Sequence, residues 1–312
     1  MTRNDLWPDL AYPRWRDTAL ALQLRAQIVG KLRLALTPWL NHSWQVPLYV
    51  GARGLATSPI PIGREILEID FDLIDQRLVF RTSRGEIETL PLAPQPIADV
   101  YRDVAAIMQR LDIEALINQL PSEMANPIRF SEDRVHRAYD AAAAHDFWRA
   151  LIQIDRVFRL FRTSFLGKVS PVHFFWGSFD LAVTRFSGRR APPHPGGVPG
   201  LPDAVAREAY SHEVSSAGFW PGNDAFPRAA FYSYAYPEPK GFRDRAMPKG
   251  AAFDPALGEF ILPYDAVRAA DDPDALLLDF LAATYDAAAE CGKWDRAALD
   301  CALGVPGRVR RI

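Results

Sequence analysis

Two spacings of apolar residues occur in separate blocks of this chain, and they limit its fold more than any other feature. Blocks in which apolar residues recur every three or four positions predict helices, and blocks in which they recur every second position predict half-buried strands. Over 312 residues the strand blocks follow one another between the helical blocks. Runs of strands bounded by helices indicate an α+β protein with antiparallel sheets.

The first half of the chain has the order helix, strands, helix. Leucines and an isoleucine four apart predict a helix over 20–36, and residues 44–51 are typical of a strand at an edge or bulge because of Pro47. Leu67, Ile69 and Phe71 alternate with acidic residues, which predicts a half-buried strand. A hairpin turn is expected at 83–85, and a second helix follows the prolines at 94 and 96.

The second half repeats this order. Ser131 is expected to cap a long helix with an apolar stripe from Phe147 to Phe165. A last helix should begin at Pro273. Strands are expected at 172–186, 205–215, 229–236 and 259–263.

The repeated order predicts two pseudo-repeated halves, each a mainly antiparallel sheet flanked by helices. Two local matches support the repeat: Gly30-Lys31 with Gly167-Lys168, and the nine-residue spacing of Trp44 and Arg53 with that of Trp176 and Arg185. We place the halves at 1–125 and 126–312. Two loops rich in proline and glycine, 189–203 and 237–250, occur only in the second half, and such loops are often functional. The first half is therefore expected to be scaffold and the second to hold the site.

Composition narrows the class of partner. The net charge of −2 gives no field that would attract nucleic acid or an anionic membrane. The N-terminus lacks the apolar stretch of a signal peptide, and no apolar run reaches the 18 residues of a membrane span. Cys291 and Cys301 are expected to be free buried thiols. These features predict a soluble cytoplasmic protein whose partner is a small-molecule ligand, and they leave its oligomeric state open.

Three long motifs in the second half resemble segments of a known protein family. The segments 170–189 (SPVHFFWGSFDLAVTRFSGR), 208–222 (EAYSHEVSSAGFWPG) and 231–239 (FYSYAYPEP) resemble a bacterial family of uncharacterised proteins known only as a domain of unknown function. The resemblance covers nearly the whole chain. It implies no activity, so no catalytic residue is transferred from it.

Two histidines and a glutamate form a candidate metal site. Glu208 and His212 fall on one face of the strand predicted over 205–215, because strand side chains alternate with a period of two. His173 lies on the strand predicted over 172–186. If these faces meet, two imidazoles and a carboxylate form a ligand set suited to zinc or iron. Alternatively, both histidines are core or pocket residues bound to carbonyls.

Candidate catalytic residues lie on the same strands. Asp180 is a charge in an apolar strand, where it either pairs with Arg185 or has a raised pKa that suits acid–base chemistry. Arg185 is the expected anchor of a substrate carboxylate or phosphate, with Arg189 as a second binding residue. Glu213 would replace Glu208 at the site if a bulge shifted the strand. The competing interpretation of the arginines is a set of structural ion pairs.

Aromatic residues are dense in the second half. Trp176, Trp220 and Tyr234 are expected to bind substrate, because aromatic walls with a few polar groups suit a small-molecule pocket. An ordinary core position is the competing interpretation for each. We therefore expect an enzyme of small-molecule metabolism, with a divalent metal (zinc or iron) as a candidate cofactor. Two alternatives stay open: a non-catalytic small-molecule-binding protein, and a structural or interaction protein.

Overall fold

The computed structural model describes residues 6–124 and 126–310. These residues form seven α-helices and two six-stranded antiparallel sheets. The α+β prediction is therefore confirmed. The predicted boundary between the halves falls at residue 125, which lies outside the described residues.

The first sheet is built by residues of the first half. Its strands are β1 (Tyr49–Gly51), β2 (Gly54–Ala56), β3 (Ile60–Ile62), β4 (Glu65–Asp72), β5 (Arg77–Thr82) and β6 (Ile87–Pro91). They are ordered β1-β2-β4-β5-β6, with β3 also paired to β4. On β4, Leu67, Ile69 and Phe71 are buried as their alternation predicts. The predicted hairpin turn joins β5 to β6.

The second sheet is built by residues of the second half. Its strands are β7 (His173–Phe175), β8 (Asp180–Arg190), β9 (His212–Trp220), β10 (Ala230–Tyr236), β11 (Ala252–Asp254) and β12 (Glu259–Pro263). They are ordered β11-β12-β10-β9-β8-β7. A β-bridge between Leu48 and Phe174 connects the β7 edge of this sheet to the segment before β1, so the two halves share one core.

The helices begin where local capping favours them. They are α1 (Tyr12–Leu36), α2 (Ile97–Arg110), α3 (Ala141–Arg162), α4 (Asp203–Ala209), α5 (Tyr264–Ala269), α6 (Pro273–Cys291) and α7 (Arg296–Leu299). The prediction that Ser131 caps the long helix is wrong. Asp140 caps α3 instead, because its side chain accepts hydrogen bonds from the backbone N–H groups of Ala142 and Ala143. Pro273 opens α6 as predicted, and Asp272 is its cap.

Helix α1 is buried on nearly all sides, whereas its leucine spacing predicted a single buried face. It also continues through Gly30-Lys31, so this pair neither closes nor interrupts a helix, while Gly167-Lys168 lies beyond the end of α3. Arg53 is half-exposed and paired with Asp72, whereas Arg185 is buried. The local matches between the halves are therefore not structurally equivalent, and the internal duplication stays a prediction.

Helices α3 and α6 cover one face of the second sheet. The predicted strand over 205–215 is wrong in its first part, where 203–209 form α4. Pro202 before the helix, an aspartate in its first turn and three alanines favour helix there over the alternation that suggested a strand.

Within the described ranges, no helix combines the length and apolar character needed to cross a membrane. Cys291 and Cys301 are free, and they are half-buried rather than buried.

Candidate functional site

A cavity of about 590 Å³ lies on the face of the second sheet opposite α3 and α6. Its floor is formed by alternate side chains of β7, β8, β9 and β10. Its walls come from Lys31 of α1, the turn 41–44, the segment 118–123, the loop 198–202 and helix α4. The predicted assignment of the first half to scaffold alone is therefore wrong, because its residues complete the cavity.

Asp180 is the buried acid of the cavity floor, with 4% of its surface exposed. Its carboxylate accepts hydrogen bonds from the hydroxyl groups of Ser178 and Tyr232. Burial raises its pKa, and the two hydroxyl groups oppose that rise. Of the two alternatives expected for Asp180, pairing with Arg185 is excluded because residues 180 and 185 of β8 lie on opposite faces of the sheet, and the raised pKa agrees with the other.

Gly218 allows Tyr232 to reach Asp180. Gly218 of β9 lies between Ala182 of β8 and Tyr232 of β10 in the register of the sheet. A Cβ at this glycine would lie 2.2 Å from the hydroxyl oxygen of Tyr232. The tyrosine ring therefore crosses β9 through the space that a side chain would fill.

Glu123 is a second acid of the cavity: protein atoms surround its carboxylate, and its accessible surface borders the cavity. Its backbone is in the left-handed region, with φ of 58°, which is strained for a residue other than glycine. Its N–H donates a hydrogen bond to the carbonyl of Pro199 at 3.1 Å. Its carboxylate packs against Gly177, where a Cβ would lie 2.1 Å from Oε1. Desolvation and the nearby Asp180 raise the pKa of Glu123 to about 7, although Lys31 lowers it.

A polar stripe on α1 holds the segment that carries Glu123. The side-chain amide of Gln27 donates to the carbonyl of Ser122 at 2.9 Å, and its oxygen accepts from the N–H of Ser122 at 2.7 Å. Lys31 Nζ donates to Ser122 Oγ at 3.0 Å. One turn earlier, Gln23 donates to the carbonyl of Gly177 at 2.6 Å. Spacing of four places all three side chains on one side of the helix.

Glu259 is the third acid on the lining. The register of β10 and β12 pairs Ser233 with Phe260, so Glu259 lies across from Tyr234. Desolvation, with Asp180 and Asp254 nearby, raises the pKa of Glu259 to about 8. Its Oε2 is buried and accepts no hydrogen bond from the described residues.

His173 lies on the cavity floor and is 1% exposed. Burial, with a smaller effect from Arg162, lowers the pKa of its imidazole to about 3, so the ring is neutral near pH 7. Its Nδ1 has no hydrogen-bond partner in the described part of the chain. A neutral imidazole with a spare nitrogen can donate or accept one hydrogen bond with a ligand.

The predicted metal ligands are not brought together. His173 is level with Ala182 and Gly218, and His212 lies six residues along β9 from Gly218. At ~3.3 Å per strand residue the two histidines are about 20 Å apart. Glu208 lies on α4, where Trp39 donates a hydrogen bond to its carboxylate. Between residues 6 and 310, leaving out residue 125, no three His, Cys, Asp or Glu side chains are grouped so that they could hold a metal ion.

Arg185 lies on the helix-covered side of the sheet, so the prediction that it anchors substrate in this cavity is wrong. Its guanidinium donates to Ser164 Oγ at 2.8 Å and to the carbonyl of Phe161. It also lies 3.6 Å from the ring centroid of Phe161 and 4.4 Å from that of Tyr285. Arg185 therefore fixes α3 and α6 to the sheet.

Glu213 and Arg189 lie outside the cavity lining. They form an ion pair of 2.6 Å, and Arg189 also donates to the carbonyls of Gly292 and Lys293 after α6. Arg189 therefore forms a structural ion pair, which was the competing interpretation of the arginines. Glu213 also accepts from Ser187 Oγ, and its odd position on β9 points away from the cavity.

Trp176, Trp220 and Tyr234 all line the cavity, as does His173. The Trp176 indole donates to the carbonyl of Val46 at 3.0 Å and packs against Gly30 of α1. The Trp220 ring lies 4.6 Å from that of Tyr232. That these residues contact a substrate stays a prediction.

Three charged residues of the lining, Lys31, Glu123 and Glu259, were missed by sequence reasoning. Gln23, Gln27 and Lys31 recur every four positions within an apolar helix, and that polar stripe was the available signal. Glu123 lies in an irregular segment where no periodicity marks it. Glu259 follows a turn at the start of a short strand, where an exposed charge is ordinary.

One comparison with known proteins gave a match. The profile of a family of unknown function (DUF5996) matches residues 7–301. The chain belongs to this family. The matched range contains every residue of the cavity lining named above, so the family resemblance seen in the sequence motifs extends to both halves. Searches of curated proteins and of solved structures gave no match.

Proposed function

We propose that this member of the DUF5996 family is an enzyme that transfers a proton to or from a small molecule bound in the cavity on the second sheet. Glu123 is the proposed general acid or base, and Asp180 with Tyr232 is a second polar group on the floor. The proposal has no role for a metal at His173, His212 and Glu208, because these side chains are far apart.

The position of Glu123 is the observation that carries the proposal. An acid whose pKa is near 7 is suited to proton transfer at neutral pH, because both of its protonation states are populated. It is held at a strained backbone angle, and such strain often occurs at functional sites. The cavity volume is within the ~300–1,000 Å³ of ordinary ligand pockets.

The test is a turnover screen with matched variants. The purified protein, Glu123→Gln and Glu132→Gln are each incubated with a protein-free small-molecule extract of bacterial cells, and the metabolites are followed by mass spectrometry. Glu132 is the control because its side chain is 67% exposed and lies off the cavity lining. We expect a compound whose conversion is unchanged in Glu132→Gln and at least ~100-fold slower in Glu123→Gln.

The pH dependence of that conversion is the second readout. In the wild type the rate should change through about pH 7, where Glu123 titrates, and this inflection should be lost in Glu123→Gln. A compound that is retained by the protein but never converted would favour the alternative, a non-catalytic small-molecule-binding protein. Equal conversion by both variants would contradict the role of Glu123.

A further inference from the structure

The charges on the cavity lining are predominantly acidic. Glu123, Asp180 and Glu259 line it, whereas Lys31 is the one lysine or arginine among the described lining residues. Lys31 is close to Glu123, since each influences the pKa of the other. Asp180 and Glu259 have no cationic side chain beside them on the lining. A ligand with a carboxylate or phosphate would meet two uncompensated acids there.

Asp180 and Glu259 lie beside a wall of aromatic rings. Tyr232 and Tyr234 are stacked with an interplanar angle of 13°, and Trp220 lies next to Tyr232. Tyr210 joins this group through a hydrogen bond of 2.8 Å between its hydroxyl and that of Tyr234. Aromatic faces attract cations, and the attraction grows where water is excluded. Acids beside aromatic faces form the environment that suits an ammonium group.

Two polar atoms of the lining are without partners. The buried Oε2 of Glu259 and the Nδ1 of His173, whose side chain is almost fully buried, make no hydrogen bond with the described residues. Buried polar groups are normally paired, so unpartnered atoms on a cavity wall indicate where a ligand supplies the missing donor. An ammonium group has three N–H donors and no acceptor, which matches a bare carboxylate oxygen.

We infer that the ligand of this cavity is an organic cation, an amine whose ammonium group lies against the unpartnered carboxylate oxygen of Glu259 and whose apolar body lies against Trp220, Tyr232 and Tyr234. The inference rests on the proposed function, since it names the class of substrate that reaches Glu123. It opposes the sequence-based expectation of a carboxylate or phosphate ligand, which relied on Arg185 and Arg189.

The test uses three probes with one aromatic ring and one substituent carbon: benzylamine, benzyl alcohol and benzoate. Binding is measured by isothermal titration calorimetry, and quenching of tryptophan fluorescence reports occupation of the cavity because Trp176 and Trp220 line it. We expect the dissociation constant of benzylamine to be at least tenfold lower than that of benzyl alcohol. Benzoate should bind most weakly.

The variants are Glu259→Gln and the surface control Glu132→Gln. Glu259→Gln should bring the affinity for benzylamine to within about twofold of that for benzyl alcohol, while Glu132→Gln should leave all three affinities unchanged. Circular dichroism confirms that both variants fold. Benzylamine should also release protons on binding to the wild type near pH 7, because a cation favours ionised Glu259, and this release should fall in Glu259→Gln.

The outcomes separate the two proposals. Binding of benzyl alcohol or benzoate that equals or exceeds that of benzylamine overturns the cation inference and leaves a small-molecule cavity in place. Benzylamine binding that is unaffected by Glu259→Gln also overturns it. If none of the three probes binds or quenches tryptophan fluorescence, the cation inference fails, whereas the proposed function is decided by conversion in the cell extract and its loss in Glu123→Gln.

Discussion

The hydroxyl group of Tyr232 on β10 donates a hydrogen bond to the carboxylate of Asp180 on β8, across the intervening strand β9. The two residues are separated by 52 positions in sequence and by one strand in the sheet. Gly218 of β9 provides the space between them. The hydrogen bond that orients Asp180 therefore depends on the absence of a side chain at Gly218.

Gly218→Ala should break the hydrogen bond between Tyr232 and Asp180. The new Cβ would lie 2.2 Å from the Tyr232 hydroxyl oxygen, so the ring must move away from Asp180. We expect the free energy of unfolding to fall by about 1–3 kcal/mol, as for other overpacked sites. Urea denaturation at pH 7 measures it. Gly51→Ala is the control, because its nearest contact would be an ordinary 3.7 Å, and an equal loss in both variants would contradict the prediction.

Replacing Arg185 by leucine should lower the free energy of unfolding much more than replacing Arg189 by leucine. Arg185 is 2% exposed and supports α3 and α6, so Arg185→Leu should lower the free energy of unfolding by about 3 kcal/mol. Arg189 pairs with Glu213 at the surface, so Arg189→Leu should lower it by less than about 1 kcal/mol. Folded Arg185→Leu should bind benzylamine as the wild type does. If Arg185→Leu lost benzylamine binding without losing stability, this would indicate that Arg185 belongs to the binding site.

Stability should fall at alkaline pH because of Glu259. Its pKa is about 8 in the folded protein against an ordinary 4.5, so the folded state holds a proton that the unfolded state releases. The stabilisation is complete below pH 4.5 and is lost as the pH rises through about 8. Glu259→Gln holds no such proton, so the wild type should lose about 4 kcal/mol relative to this variant between pH 5 and pH 9. Urea denaturation at both values measures this, and a constant difference between the proteins would refute it.

His173 should cause the folded protein to lose stability at acidic pH. Its pKa is about 3 when folded against an ordinary 6.5, so the unfolded state binds a proton that the folded state excludes. Stability is therefore lost as the pH falls below 6.5, by about 2 kcal/mol at pH 5. His173→Phe should reduce this acid loss in thermal or urea unfolding. The prediction fails if wild type and variant lose stability equally between pH 6.5 and pH 5.

Periodicity predicted the elements whose side chains alternate between core and solvent. The alternation of β4 and the proline at the start of α6 gave the correct elements, because local sequence determines both. The same reasoning failed at 203–209, where Val205 and Ala206 fit either a strand or a short helix. It failed again at the capping of α3, where Ser131 and Asp140 are both acceptable caps and tertiary packing selects the second.

The candidate site was only partly predictable for a different reason. Asp180 was found because a charge in an apolar strand is unusual. Glu123 became part of the site through its long-range contacts with Gly177 and Pro199, which no local pattern encodes. Arg185 was predictable from the strand alone, because alternation places residues 180 and 185 of one strand on opposite faces of the sheet.

The hydrogen bond between the N–H of Glu123 and the carbonyl of Pro199 connects the acid of the candidate site to the proline-rich loop. Gln27 and Lys31 fix Ser122 to α1, whereas Pro199 belongs to the proline-rich loop that borders the cavity. If the loop moves outward to admit a ligand, Glu123 stays with α1 but loses the contact that helps to hold its left-handed backbone. The carboxyl group would then regain its orientation only when the loop returns, so under the proposed function proton transfer would follow closure over the ligand and product would leave after the loop reopens.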